Sequence, residues 1–275
     1  MKKIITIVLC FTLVFSLAAC GQPDDPSPSE TGDEEQKKGK VLTEKEFKQM
    51  YSNPDKFKGE RVDFHAQIFL QPERDEKGTY LQAYLDPDNS QNNIIVAIND
   101  PDLEVNKGDI IRVLGTVKGN YEGQNAFGAE ISAPVIEAET IEKTDYKTAF
   151  APAVKTVEVN KTQNHNGYIV KLNKLELAKQ ETRLYLTITN QTDNKITFYE
   201  FNTNLIQGNE QFDTKNNFAA DYPELQTEIL SGVETSGIIV FPPLDIDKKE
   251  VKIILEGSSS DYNVDIKPFR FNISW

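Results

Sequence analysis

Beyond residue 20 this 275-residue chain contains no cysteine. Its two thiols, Cys10 and Cys20, both lie in the first twenty positions, so no disulfide can staple the downstream chain. Cysteine nucleophiles and His/Cys zinc clusters are excluded there as well. Histidine is nearly as scarce, with only His65 and His165. A hydrolase triad would need one of them beside a serine and a carboxylate, and no Gly-x-Ser-x-Gly turn occurs. Walker-type and dinucleotide-binding glycine patterns are missing too. Basic side chains are outnumbered, with 30 Lys and Arg against 43 Asp and Glu, for a formal charge of −13. Nucleic-acid affinity comes largely from clustered Lys and Arg releasing counter-ions, so nucleic acid is not an expected partner.

What the sequence does have begins at Met1. Lys2 and Lys3 precede an uncharged run from Ile4 to Ala19 that closes on Leu17-Ala18-Ala19-Cys20. Basic residues, an apolar stretch and small residues before a cut site make a secretory signal. A membrane-spanning helix needs about 20 apolar residues; this run has 16, and no stop-transfer charge follows. The cysteine at the cut position makes the segment resemble a bacterial lipobox. That resemblance implies a signal peptide over 1–19 and a diacylglyceryl thioether on Cys20, the new N-terminus. Loss of Lys2 and Lys3 raises the acidic excess from 13 to 15. Two acyl chains suffice for stable anchoring, and no polybasic patch would assist them.

Residues 20–40 carry Pro23, Pro26 and Pro28 among charged and small residues, with no aromatic or β-branched aliphatic side chain. Such a segment cannot bury enough to fold, so it reads as a disordered tether with an average reach of about 25 Å. The remaining length exceeds the usual single-domain size, which predicts two domains with a boundary at 141–152.

The first expected domain, 41–140, starts with Thr43-Glu44-Lys45-Glu46, a capping box for a short helix whose buried stripe is Phe47, Met50 and Tyr51. Asn53-Pro54 stops it. From Arg61 the period becomes two, with Val62, Phe64, Ala66 and Ile68 facing inward. Further strands are predicted at 79–85, 93–99, 110–117 and 128–135, separated by turn-forming clusters. Tyr51 through Gly59-Glu60-Arg61-Val62, with Lys107-Gly108-Asp109-Ile110 running to Gly115-Thr116-Val117, resemble the bacterial OB-fold family often labelled tRNA-anticodon-like. The resemblance implies a small five-stranded barrel but no shared ligand. This stretch holds 18 acidic and 10 basic residues, the reverse of a funnel for single strands. Tyr80, Tyr84 and Tyr121 are candidates for stacking on a sugar or peptide, against an ordinary role as barrel-wall residues. Asp86-Pro87-Asp88-Asn89 and Asn99-Asp100-Pro101-Asp102 offer oxygen ligands suited to Ca²⁺, but they sit at opposite ends of one predicted strand and read as turn formers.

The second expected domain, 153–275, is another succession of short alternating strands: 154–159, 167–177, 184–189, 196–200, 237–241, 251–255 and 269–275. His165 falls in a predicted turn, Asn164-His165-Asn166-Gly167, and His65 alternates outward; both read as surface residues. Phe269, Phe271, Ile273 and Trp275, the only tryptophan, share one face of a closing strand. The runs Leu184 to Asp193, Gly208-Asn209-Glu210, Leu230 to Val233 and Gly237 to Pro242 resemble an immunoglobulin-like domain found in Gram-positive lipoproteins, in which no catalytic residues are assigned. The expected class is therefore all-β: an OB-like barrel with one short N-terminal helix, then an immunoglobulin-like sandwich.

These readings converge on a monomeric, lipid-anchored binding or adaptor protein at the outer face of a Gram-positive cytoplasmic membrane. It is not expected to be an enzyme or to hold a metal or cofactor. Its partner would be an envelope protein, peptide or glycan, with Cys20 as the one assignable functional residue. The alternative is an envelope hydrolase using two of the many carboxylates.

Overall fold

The computed structural model describes residues 40–124 and 130–275, and these are all-β with short helices. Cys10, Cys20, the leader, the tether up to residue 39 and the Gly128 start of a predicted strand lie outside the described residues. Residues 39–275 cluster into one compact unit. Among the described residues no helix is long and apolar enough to cross a membrane.

Helix α1 (Glu44–Ser52) begins with the expected capping box: Thr43 Oγ1 accepts from the Glu46 N–H, and the Glu46 carboxylate accepts from the Thr43 N–H at 2.7 Å. Met50 is fully buried, and Phe47 lies 5.3 Å from Phe64 between ring centroids. Asn53 caps the C-terminus and a 3-10 turn, Pro54–Phe57, follows.

Six strands come next: β1 (Arg61–Ile68), β2 (Glu73–Asp75), β3 (Gly78–Asp86), β4 (Gln91–Ile98), β5 (Ile110–Gln124) and β6 (Glu130–Thr144). Five of them pair in a closed circuit, β1 to β3 to β4 to β6 to β5 and back to β1, with β4 and β6 parallel and the rest antiparallel. Val62, Ala66, Leu81, Ile94, Val96, Val113 and Ile136 fill its interior. Strands β5 and β6 run well past their predicted limits. Register shifts at Leu114/Gly115 and Val117/Gly119 bend the pair, so its far end continues as a two-stranded ribbon beyond the circuit.

The stretch read as the boundary between the two expected domains, 141–152, holds the end of β6 followed by α2 (Tyr146–Ala149), whose N-cap Asp145 accepts from the Thr148 N–H at 2.9 Å. Tyr146 is buried, and with Ile110, Ala151 and Ala178 it forms a small apolar cluster joined by Phe150, Ala219, Ala220 and Tyr222. Both halves of the chain contribute to this seam.

Nine strands complete the chain: β7 (Ala153–His165), β8 (Tyr168–Ala178), β9 (Thr182–Asn190), β10 (Ile196–Gln207), β11 (Glu210–Asp213), β12 (Glu228–Ile229), β13 (Glu234–Phe241), β14 (Glu250–Ser259) and β15 (Phe269–Ser274). One sheet has the order β13-β9-β8-β7 and another β11-β10-β14-β15, with β12 beside β10. The two enclose a common core that includes Leu172, Leu186 and Ile188 from the first and Phe198, Ile253 and Phe271 from the second. His165 is the last residue of β7 rather than part of the turn. The turn is Asn166-Gly167, with φ of 56° and 92°, the left-handed pair that a two-residue hairpin of right-handed twist requires.

The edge of β15 is closed by side chains rather than by a strand. Gln163 donates to the Arg270 carbonyl at 2.6 Å and accepts from the Arg270 N–H at 3.3 Å, Lys161 donates to the Asn272 carbonyl at 3.1 Å, and His165 Nδ1 lies 2.9 Å from the Lys267 carbonyl. Alternate residues of β7 thus occupy hydrogen-bonding positions that an exposed edge would offer to another chain.

Phe269, Phe271 and Ile273 point from this edge strand into the core, and Trp275 packs beside them while its indole donates to the Ile246 carbonyl at 3.1 Å. Phe271→Ala is expected to cost about 3–5 kcal/mol, because the flanking sheets cannot collapse into the void. A urea titration followed by Trp275 fluorescence measures it as a lowered midpoint.

Candidate functional site

The residues singled out from the sequence are dispersed. Tyr80 stands on the outer face of β3, 38% exposed, with its hydroxyl 3.3 Å from the Asp75 carboxylate. Tyr84, on the same face, stacks on Phe69 at 4.0 Å between centroids. Tyr121 lies apart from both, on the β5–β6 ribbon opposite Ala133. His65 is half-buried, edge-on to Phe150 at 6.4 Å, and burial lowers its pKa; it is a seam residue rather than a solvated one. His165 stacks on Phe269 at 4.3 Å.

Both acidic turns hold themselves closed. Asp86 accepts from the Asn89 side chain at 2.9 Å, Asp100 accepts from the Asp102 N–H at 3.0 Å, and Asp88 accepts from the Tyr146 hydroxyl at 2.7 Å. Among the described residues no three His, Cys, Asp or Glu side chains come together as a metal site.

The concave feature lies elsewhere, where the end of α1 and its 3-10 turn face the β5–β6 ribbon. It is an open cavity of about 470 Å³, within the range of small-ligand sites, lined by Tyr51 to Asp55 on one side and by Asn120 and Ser132 to Pro134 on the other. The pairing Asn120↔Pro134 in the ribbon sets its far wall. Gly119 lets the walls approach: at its φ of 119° an L side chain is strained, and a Cβ there would run into Lys58 and Asp55. The Tyr51 hydroxyl donates to the Asn93 carbonyl at 3.2 Å, which fixes the ring, and burial raises its pKa so that it stays a donor. A hydrogen bond from Lys58 and another from the Asn120 N–H hold the Asp55 carboxyl below its ordinary range. It is therefore a carboxylate at neutral pH.

A second polar assembly, buried at the seam, was hidden from the sequence reading. Arg183 on β9 is entirely buried. Its Nε donates to Glu176 at 2.9 Å, and its Nη1 donates to Glu181 and to the Ala151 carbonyl, each at 2.8 Å. Glu176 also accepts from Tyr185 at 2.7 Å and Lys174 at 2.5 Å; Glu181 accepts from Tyr222 at 2.5 Å and Asn217 at 2.8 Å. Two cations face two anions, so the buried charge sums to zero. Burial alone would push the Glu176 carboxyl up, but its bonds from Lys174, Tyr185 and Arg183 outweigh that and leave it lowered. Arg183 lies at a position whose parity along β9 predicts an outward side chain. The 214–222 segment and Ala151 cover that face, which no local pattern announces.

Arg183→Met leaves two buried carboxylates short of a cation and is expected to destabilise the fold by about 3–5 kcal/mol at neutral pH, read from urea unfolding. The loss should shrink as the pH falls through the carboxylate range near 4, because a protonated carboxyl no longer needs the guanidinium. In the unaltered protein the sign is opposite. Glu176, with its folded pKa depressed, contributes stability that is present above its ordinary value of 4.5 and disappears as the pH drops through the folded value. Chemical denaturation repeated between pH 7 and 3 on both proteins separates the two slopes.

In comparisons with known proteins, no family model matches the chain and no curated protein is similar to it.

Proposed function

We propose that the chain is a lipid-anchored extracytoplasmic binding or adaptor protein, held through Cys20 at the outer face of a Gram-positive cytoplasmic membrane and acting as a monomer. Its folded part presents an OB-like barrel and an immunoglobulin-like sandwich to an envelope protein, peptide or glycan. The observation that carries this reading is the open polar cavity between α1 and the β5–β6 ribbon, with its pinned Tyr51 ring and a single carboxylate among its described lining residues, Asp55, already paired with Lys58. The five-strand circuit with parallel β4 and β6 supports the barrel assignment, and the core shared by two sheets supports the sandwich. Binding is favoured over hydrolysis because, among the described residues, Asp55 is the sole carboxylate lining that cavity and its pKa is lowered, whereas a glycosidase acid needs a raised one beside a second carboxylate. The acidic surface supports the exclusion of nucleic acid.

Metabolic labelling with palmitate is expected to mark the protein and to be lost in Cys20→Ser; label retained in that variant would overturn the anchor. Capture from membranes with the anchored protein is expected to recover an envelope component, and repeated recovery of none would overturn the adaptor reading.

A further inference from the structure

We infer that the cavity between α1 and the β5–β6 ribbon is a saccharide site, taking a neutral, hydroxyl-rich sugar of the envelope through Tyr51, Asn53, Asp55, Asn120 and Ser132. The inference rests on the binding-protein reading and narrows it to one ligand class.

The lining selects by elimination and by fit. Among the described residues Asp55 is the only charged side chain lining the cavity, and Lys58 already pairs with it at 2.9 Å, so an anionic ligand such as a phosphate, sulfate or carboxylate finds no unpaired cation there. A cationic ligand would compete for a carboxylate already paired with Lys58 at 2.9 Å. A wholly apolar ligand would leave the Asn53 amide and Asp55 Oδ2 desolvated and unmatched.

A pyranose satisfies the same groups. Both bonds to the Asp55 carboxylate fall on Oδ1, from Lys58 and from the Asn120 N–H at 3.2 Å, which leaves Oδ2 for a ligand hydroxyl. The Asn53 side chain does not cap the 3-10 turn that it precedes, so its amide is available as both donor and acceptor. Asn120 Nδ2 donates to Ser132 Oγ at 2.9 Å and to Glu122 at 3.3 Å, and Ser132 Oγ donates back to Asn120 Oδ1 at 3.0 Å, so the opposite wall offers the remaining lone pairs of two oxygens to ligand hydroxyls. Tyr51, half-buried and fixed through its hydroxyl, offers the ring surface that the C–H face of a sugar covers. A peptide of comparable size brings one N–H and one C=O per residue, fewer groups than four converging polar side chains require, whereas a pyranose carries a hydroxyl on most of its ring carbons.

Ligand-observed saturation-transfer NMR on the full chain in detergent micelles tests this, with chitotriose and maltotriose as probes and trialanine as the peptide control. At least one trisaccharide is expected to receive saturation from the protein. Its affinity is expected to fall about tenfold in Asn53→Ala, which removes no hydrogen bond within the fold, and further in Tyr51→Ala, while Tyr80→Ala on the barrel face leaves it unchanged. Circular dichroism establishes that each variant is folded, and Asn53→Ala carries the decision if Tyr51→Ala is not. Transfer to neither trisaccharide would overturn the inference. So would transfer that Asn53→Ala leaves untouched, or transfer to trialanine alone. Those results leave the adaptor reading standing, since it fails only if membrane capture recovers nothing.

Discussion

A guanidinium withdrawn completely from water is the constraint on which the folded part depends. Removing such an ion from solvent costs several kcal/mol, and only fixed partners offset it. Arg183 finds them in Glu176 on β8, Glu181 ahead of β9, and the Ala151 carbonyl between α2 and β7. Glu181 in turn fixes Tyr222 and Asn217, which belong to a segment with no regular structure of its own. Burial raises the pKa of Tyr146, Tyr185 and Tyr222, so all three phenols remain neutral donors. The assembly is neutral in sum and ties the connecting segment to the second half. Tyr146 then carries the tie into the first half through Asp88, and Gln67 does so through the Ala219 carbonyl at 3.2 Å.

A polar seam of this kind has a property that an apolar one lacks. Two greasy faces can slide and still remain buried, but a desolvated ion network loses several bonds at once if either side shifts. The seam therefore sets one relative placement of its parts, with the apolar cluster around Tyr146 and Ile110 excluding water from it. The β15 edge follows a similar rule. Backbone groups there are matched by Gln163, Lys161 and His165, so the sheet does not offer those positions to a second copy.

Much of the fold was legible because it rests on local periodicity. Residues 61–68 form β1 with the expected inward side chains, Thr43 and Glu46 make the expected cap, and the breaks around 76–77, 87–90 and 208–209 are turns, whereas Lys118-Gly119-Asn120, also read as a break, lies inside β5 because the ribbon carries the strand on to Gln124. What escaped depends on contacts distant in sequence. The length of β5 and β6 comes from register shifts that no single strand encodes. Helix α2 is one turn long, too short for a helical period, although Asp145 and Thr148 supply its cap. Arg183 sits where alternation predicts solvent, and its burial comes from a segment some forty residues later. The cavity joins Tyr51–Asp55 to Asn120 and Ser132–Pro134, two stretches that look unremarkable apart: a helix stop and the middle of a ribbon.

The physical character of the cavity also bears on how such a protein would work at a membrane. Neutral hydrogen bonds contribute only about 1 kcal/mol each after desolvation, so a site built from amides, a hydroxyl and one carboxylate binds a sugar weakly. Weak binding is sufficient when the site is tethered. With the anchor proposed at Cys20, the site would meet envelope polymers at an effective concentration set by its tether rather than by free diffusion. Repeated contacts along a polymer then add without any single one being strong. The net acidic charge acts in the same direction: it disfavours contact of the folded part with an anionic bilayer, so that in the proposed anchored state attachment would rest on the lipid alone and the folded part would stay free to sample its surroundings.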